Sequence, residues 1–241
     1  MAGTTIKTEA VVLRSIRYGE ADRILHLYSK TLGRIGAIAK GARRPKSRFG
    51  GRLEPFFRLD LVLHEGRGEL LTVTNVATLD GYPHLRSSGP ALNAGARACD
   101  AVLRLLDSAE SNPPAYNLLC RYLALLDNPA AERGASLEAA LSFRLKLALA
   151  AGFAPELATC AQCGDAERFS GFSGAAGGVV CASCEAGSFP LSEEAHSFMV
   201  GAIGSPLAEA PAAGPPALHQ AERAVRETLE HHAHVQLRSA A

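Results

Sequence analysis

Four of the six cysteines stand in two pairs, Cys160-Ala161-Gln162-Cys163 and Cys181-Ala182-Ser183-Cys184, with seventeen residues between them. Each CxxC knuckle can turn two thiolates toward one ion, and two knuckles at this separation complete a tetrahedral zinc site. Sulfur then fills every coordination position, so the expected zinc, one per chain, is structural and leaves no place for water or substrate. Redox dithiols, or a site that has lost its metal, are the alternatives this spacing allows. Gly164 directly follows the first pair and gives the knuckle its backbone freedom. The stretch between the pairs is short and glycine-rich, and metal binding, worth about 10 kcal/mol or more in isolated fingers, is expected to order it.

A second cluster points to binding. From Lys40 to Arg52 the chain places Lys40, Arg43, Arg44, Lys46, Arg48 and Arg52 with no acidic residue among them. These charges repel one another, and the glycines and proline are expected to keep the segment out of any core, so an external polyanion best explains it. DNA phosphate is the first candidate. A solvated loop that only aids solubility is the bland alternative. The functional rival is a zinc-containing adaptor whose basic loop docks an acidic protein partner, with little direct DNA contact. Arg14, Arg17 and Arg34 are secondary candidates for DNA binding. Phe49, Phe56 and Phe57 lie beside the loop as possible stacking surfaces, although the parity of Phe57 matches that of Leu59 and Leu61 in a core.

Whole-chain totals, 25 Lys+Arg against 24 Asp+Glu, conceal an asymmetry. Residues 1–80 carry fourteen basic and eight acidic side chains, which leaves eleven and sixteen for the rest. Electrostatic attraction to nucleic acid therefore belongs to the front of the chain.

The elements that must hold these groups follow from periodicity. Between Lys7 and Asp80 the apolar pattern repeats near two in five short runs: Ala10–Leu13 leading to Ile16, Ile24–Tyr28, Arg34–Ala39, Phe57–His64 and Leu71–Val76. Five short strands suit a small closed barrel of the OB type, with an SH3-like barrel as the rival. Beyond Gly81-Tyr82-Pro83 the period becomes helical: Ala91–Leu106, Tyr116–Leu126, Leu137–Ala151 with Ser136 as N-cap, and a last helix from about Ala217. The third is apolar nearly all round, and its Arg144 and Lys146 are expected to snorkel or face solvent. The reading is an α+β multidomain protein. Residues 1–80 form an OB-fold nucleic-acid-binding domain, 81–156 with 189–241 an α-helical domain, and 157–188 a four-cysteine zinc module inserted in it.

Other chemistry is sparse. Cys99 and Cys120 lie among leucines and alanines as core thiols. His231, His232 and His234 sit near a helix C-terminus, where their charge suits the dipole, with an adventitious metal site as the alternative. Glu20 and Asp22 alone make a poor magnesium site for a nuclease. Arg168 is set against Asp165, Glu167 and Glu185, so DNA contact by the zinc module is disfavoured. GxxxxGK[ST], HExxH and GxSxG are absent. No catalytic residue is expected, and no enzyme. The N-terminus has no apolar run typical of a signal, and no run is long enough to span a bilayer, so a cytoplasmic protein with no membrane partner is expected.

Several segments resemble the bacterial recombination mediator family RecO. They are Tyr18-Gly19-Glu20-Ala21-Asp22-Arg23-Ile24-Leu25, Leu32-Gly33-Arg34, the run from Ala39 to Arg48, and Glu65-Gly66-Arg67-Gly68-Glu69-Leu70. The resemblance covers almost the whole chain. It implies binding of single- and double-stranded DNA, annealing of complementary strands, and work with RecR to load RecA onto DNA covered by single-strand-binding protein. It also implies a place near the bacterial nucleoid. The tail Gln236–Ala241 keeps one cation where the family is often more basic, which puts a DNA role for the tail in doubt. Docking of single-strand-binding protein is implied for the helical half, with Arg121, Arg133, Arg144 and Lys146 as candidate contacts.

Overall fold

The computed structural model of the chain describes residues 4–66, 68–131, 133–166 and 168–240. Arg67 of the Glu65–Leu70 motif, Glu167 of the cysteine module, the first three residues and Ala241 lie outside them. The chain divides into two compact units, Met1–Asp127 and Asn128–Ala241.

In the first unit, β1 (Thr5–Tyr18), β2 (Asp22–Ser29), β3 (Gly33–Ala39), β4 (Arg58–His64) and β5 (Leu71–Asp80) close a barrel in the order β1-β2-β3-β5-β4. β1 pairs with both β2 and β4, all neighbours run antiparallel except β3 with β5, and a register shift between Val12 and Arg14 bends β1 from one partner to the other. This is the expected OB-type closure. Alternation sends Ala10, Val12, Leu25, Leu27, Ala37, Leu59, Leu61 and Leu63 inward to one core.

The segment between β3 and β4 departs from expectation. Ala42, Phe49 and Leu53 are buried in the barrel core. Successive backbone turns, Arg44 N–H to Gly41 O, Ser47 to Arg44, Gly50 to Ser47 and Arg52 to Phe49, order the stretch. Glycine and proline did not keep it out of the interior: they shape turns that drop three apolar side chains inward and leave the cations between them outside.

Helices α1 (Pro83–Ser87), α2 (Gly89–Leu105) and α3 (Pro113–Asp127) pack in this same unit. The change from strand to helix near residue 80 therefore does not mark the edge of the packed body. Gly33, at φ +63°, shows why: a Cβ there would collide with the backbone oxygens of Ser108 and Glu110, so only glycine lets the β2–β3 turn meet the α2–α3 loop. Arg34 N–H donates to Ser108 O at 3.1 Å. Pro113 and Pro114 open α3 and do not merely interrupt α2; Asn112 Oδ1 accepts the Ala115 N–H at 3.0 Å as its cap.

The second unit is built on α4 (Leu137–Ala150), capped by the Ser136 hydroxyl, which accepts the Ala139 N–H. α4 packs against α5 (Glu193–Gly204) and α6 (Pro215–His232). Arg144 does not face solvent. It is buried, pairs with Glu222 at 3.6 Å and donates to the Arg238 carbonyl, so it ties α4 to α6 and the C-terminal tail. Lys146 donates to Ile203 O at 2.6 Å, and burial lowers its pKa. Between α4 and α5, β6 (Gly171–Ser173), β7 (Gly178–Val180) and β8 (Phe189–Pro190) form a small sheet in the order β7-β6-β8.

Candidate nucleic-acid interface and metal centre

The β1–β2 turn and the start of the basic loop are fastened together. Asp22 Oδ1 accepts the Gly41 N–H at 2.7 Å, Arg43 N–H donates to Ala21 O at 2.7 Å, and the Arg43 guanidinium donates to Gly19 O at 3.2 Å. Asp22 is thus a backbone pin, and no metal grouping forms with Glu20. Gly41, at φ +68°, makes the sharp turn that delivers its amide to the carboxylate.

On this frame Lys40, Arg43, Arg44, Lys46 and Arg48 are exposed, as are Arg14 and Arg17 on β1. Six of the nine expected DNA contacts are thereby brought to one end of the barrel: Arg17, Lys40, Arg43, Arg44, Lys46 and Arg48. The other three are placed differently. Arg52 is half-buried and donates to the carbonyls of Arg48, Phe49 and Val76 at 2.6, 2.9 and 3.3 Å, so it braces the loop from beneath. Arg34 is half-buried and donates to Leu103 O at 2.9 Å, joining β3 to α2. Arg14 lies opposite His26 on the outer face of the sheet. Burial lowers the pKa of His26, and the charges of Arg14 and Arg34 lower it further, which keeps the imidazole neutral in a positive field.

The phenylalanines pack inward, as the parity of Phe57 indicated, and do not form the stacking surface offered as the alternative. Phe49 and Phe56 are buried, and Phe57 packs partly against the barrel core under the Arg86 guanidinium, 4.4 Å from its ring centroid. The exposed aromatic is Tyr18, at the end of β1. Alternation alone hid the signal: Arg14, Ile16 and Tyr18 share the sequence parity of the core residues Ala10 and Val12, and the register shift between Val12 and Arg14 turns them to the outer face.

In the second unit the sequence brings all four cysteines together. Their Sγ atoms lie within 4.8 Å of one another, the only such grouping of His, Cys, Asp or Glu among the described residues. Cys163 and Cys181 Sγ are 3.7 Å apart. Tetrahedral Zn–S bonds of about 2.3 Å require about 3.8 Å between sulfurs, so the spacing fits zinc. Gly164, at φ +79°, lets its N–H return to Cys160 O at 2.8 Å and close the first knuckle. Main-chain N–H groups of Cys163 and Cys181 hold the Cys160 thiol down at about 6, while the neighbouring Cys181 sulfur and burial push Cys184 up to about 12. Four sulfurs so close cannot all ionise unaided; a divalent cation would neutralise them and release their protons. Bound zinc would supply cross-linking here, with no open position for catalysis.

The module is docked by two histidines. His196 Nε2 on α5 donates to Leu157 O at 2.8 Å, and His232 Nε2 on α6 donates to Gly174 O at 2.9 Å. His232 is thereby engaged with the module, and the three C-terminal histidines do not assemble into a metal site. The glycines allow close approach: a Cβ at Gly174 would strike Glu227 on α6, and one at Gly178 the backbone oxygen of Glu156. Burial pushes the thiol of Cys99 up to about 12 and raises that of Cys120, so neither is a ready nucleophile. Among the described residues no helix is long and apolar enough to cross a membrane.

A family model described as Recombination protein O N terminal matches residues 1–82, and one described as Recombination protein O C terminal matches residues 86–241. The chain is 40% identical over 210 residues to the DNA repair protein RecO of Rubrobacter xylanophilus, covering 85% of this chain and 83% of that one. It is 38% identical to the protein of that name from Geobacter sulfurreducens, over 83% and 81% of the two chains. Against the one from Anaeromyxobacter sp. strain K it is 34% identical, over 94% and 91%. With both halves matched in order and relatives aligned over most of their length, this chain belongs to the recombination protein O (RecO) family.

Proposed function

We propose that the chain acts in DNA repair and homologous recombination as a mediator that binds single- and double-stranded DNA and anneals complementary strands without ATP. Cations on the pinned loop and the β1–β2 hairpin shield phosphates on two strands, which lowers their repulsion and raises their local concentration; base pairing then drives the reaction downhill. In this reading no residue is catalytic, and the zinc holds the fold of the second unit. The protein works with RecR to load RecA onto strands covered by single-strand-binding protein, in the cytoplasm at the nucleoid. Family membership supports that last step.

The observation that carries the reading is the loop's construction: Ala42, Phe49 and Leu53 are sunk in the core while Arg43, Arg44, Lys46 and Arg48 stand exposed between them. Solubility alone needs no such anchoring. Annealing of complementary oligonucleotides, followed by fluorescence without nucleotide across a salt series, tests it. Replacing Arg43, Arg44, Lys46 and Arg48 together by alanine should slow annealing and flatten the log–log salt slope of binding by about 3 units. An unchanged slope would shift the loop to docking on an acidic protein.

A further inference from the structure

The chain has five tyrosines, nine phenylalanines and no tryptophan. Among the described residues thirteen of these aromatics are buried or half-buried, and Tyr18 alone is exposed, at 53%. A lone exposed apolar residue needs no explanation. The surroundings of Tyr18 do ask for one. It ends β1 on the outer face of the barrel, in line with Ile16, which is 36% exposed, and with Arg14. Ile16 pairs with Ile24, and Ile24 with Ile38, so a row of isoleucines crosses three strands beside the ring. Arg17 precedes it in the chain, and Gly19, which follows, accepts the Arg43 guanidinium. The one carboxylate directly opposite, Asp22, is occupied by the Gly41 amide. The aromatic face is therefore bordered by apolar side chains and by the Arg43 guanidinium at Gly19, with the carboxylate across the strand pair engaged by a backbone amide and Glu20 exposed in the turn beyond.

We propose that Tyr18 is the stacking platform for an unpaired base, and that it gives this surface its preference for single strands over duplex. The proposal rests on the DNA-binding reading of the cationic end of the barrel. Every base offers a π-face, so such a platform is indifferent to sequence. In a duplex those faces are already stacked on one another, and the tyrosine gains nothing. The same ring therefore holds the reactants of annealing and releases the product: a base leaves Tyr18 as it finds its complement.

The test uses the full chain, fluorescence anisotropy, a labelled thymidine oligonucleotide and a labelled duplex of equal length, at matched salt. Tyr18→Ala should weaken single-strand binding about fivefold or more, and leave duplex affinity within about twofold. Tyr18→Phe should bind like the parent. The salt slope should not change in either variant, since no phosphate contact is lost. Equal losses for both nucleic acids, or no single-strand loss, would overturn the platform. Photo-crosslinking to an oligonucleotide carrying 5-iododeoxyuridine adds a readout on the unaltered protein: the linked peptide should contain Tyr18, and consistent linkage elsewhere would overturn the proposal. The two readings fail separately. If the four-alanine loop variant keeps the parent's slope, the DNA surface itself is wrong; if it loses the slope while Tyr18→Ala binds normally, only the platform is.

Discussion

Glu9 and Arg58 meet across the β1–β4 pair, Nη2 to Oε2 at 2.9 Å, and the Tyr116 hydroxyl donates to the same carboxylate oxygen at 3.4 Å. The Arg58 hydrogen bond holds the Glu9 carboxyl below its ordinary range, against the opposing effect of burial. A carboxyl so lowered stabilises the fold in full above its unfolded pKa, and the contribution fades as the pH falls through the folded value. Both side chains are about one third exposed, 32% and 34%, so water screens the pair and it is worth no more than about 1 kcal/mol. Glu9→Gln should cost up to that amount at pH 7, and the gap should close as the pH drops below about 4. All five tyrosines lie in the first unit and there is no tryptophan, so tyrosine fluorescence during urea unfolding reports that unit directly. At this scale the sequence could count arginines but not assign them. Arg34, Arg52 and Arg144 read like Arg43 and Arg44 in the chain, yet they satisfy carbonyls or an ion pair inside the protein. Nothing local distinguishes them, because their acceptors are 24 to 94 residues away or appear only when turns form.

Strand periodicity was legible because alternation leaves a mark every second residue, and the five strands fall where it lies. The 18-residue connection between β3 and β4 was not. Its anchors, Ala42, Phe49 and Leu53, follow no period and are separated by cations, so the charge masks the packing. Order in such a segment depends on a few fastenings. Asp22 Oδ1 on the Gly41 amide is the one that fixes where the loop starts, and a hydrogen bond to a charged acceptor is worth about 1.5–3 kcal/mol. Asp22→Ala should therefore loosen the loop, and tryptic cleavage after Arg43 or Lys46 should quicken by about fivefold or more. Asp22→Asn keeps an oxygen acceptor and should be cut nearly as slowly as the parent. Peptide mapping by mass spectrometry distinguishes the two; equal protection in the alanine variant would show that the buried anchors suffice without the pin.

Each unit has its own core, and the metal ligands all belong to one of them. The cysteine spacing announced the module, but not that helices α1–α3 would share a body with the barrel. That choice is made by contacts such as Gly33 against Ser108 and the Arg34 guanidinium on the Leu103 carbonyl, which no periodicity records. Zinc linkage should thus be confined to residues 128–241. Elemental analysis of the purified chain should give one zinc, and Cys163→Ser or a strong chelator should remove it. Binding free energy of this size is folding free energy for the knuckles, and His196 and His232 pass the loss on to α5 and α6. Calorimetry should then show one transition moved to lower temperature. The transition followed by tyrosine fluorescence should stay in place, and so should oligonucleotide binding, because Tyr18, the basic loop and the barrel core lie in Met1–Asp127. A tyrosine transition that moved with zinc would mean the two cores unfold as one, and a loss of oligonucleotide binding would place part of the DNA contact beyond the barrel.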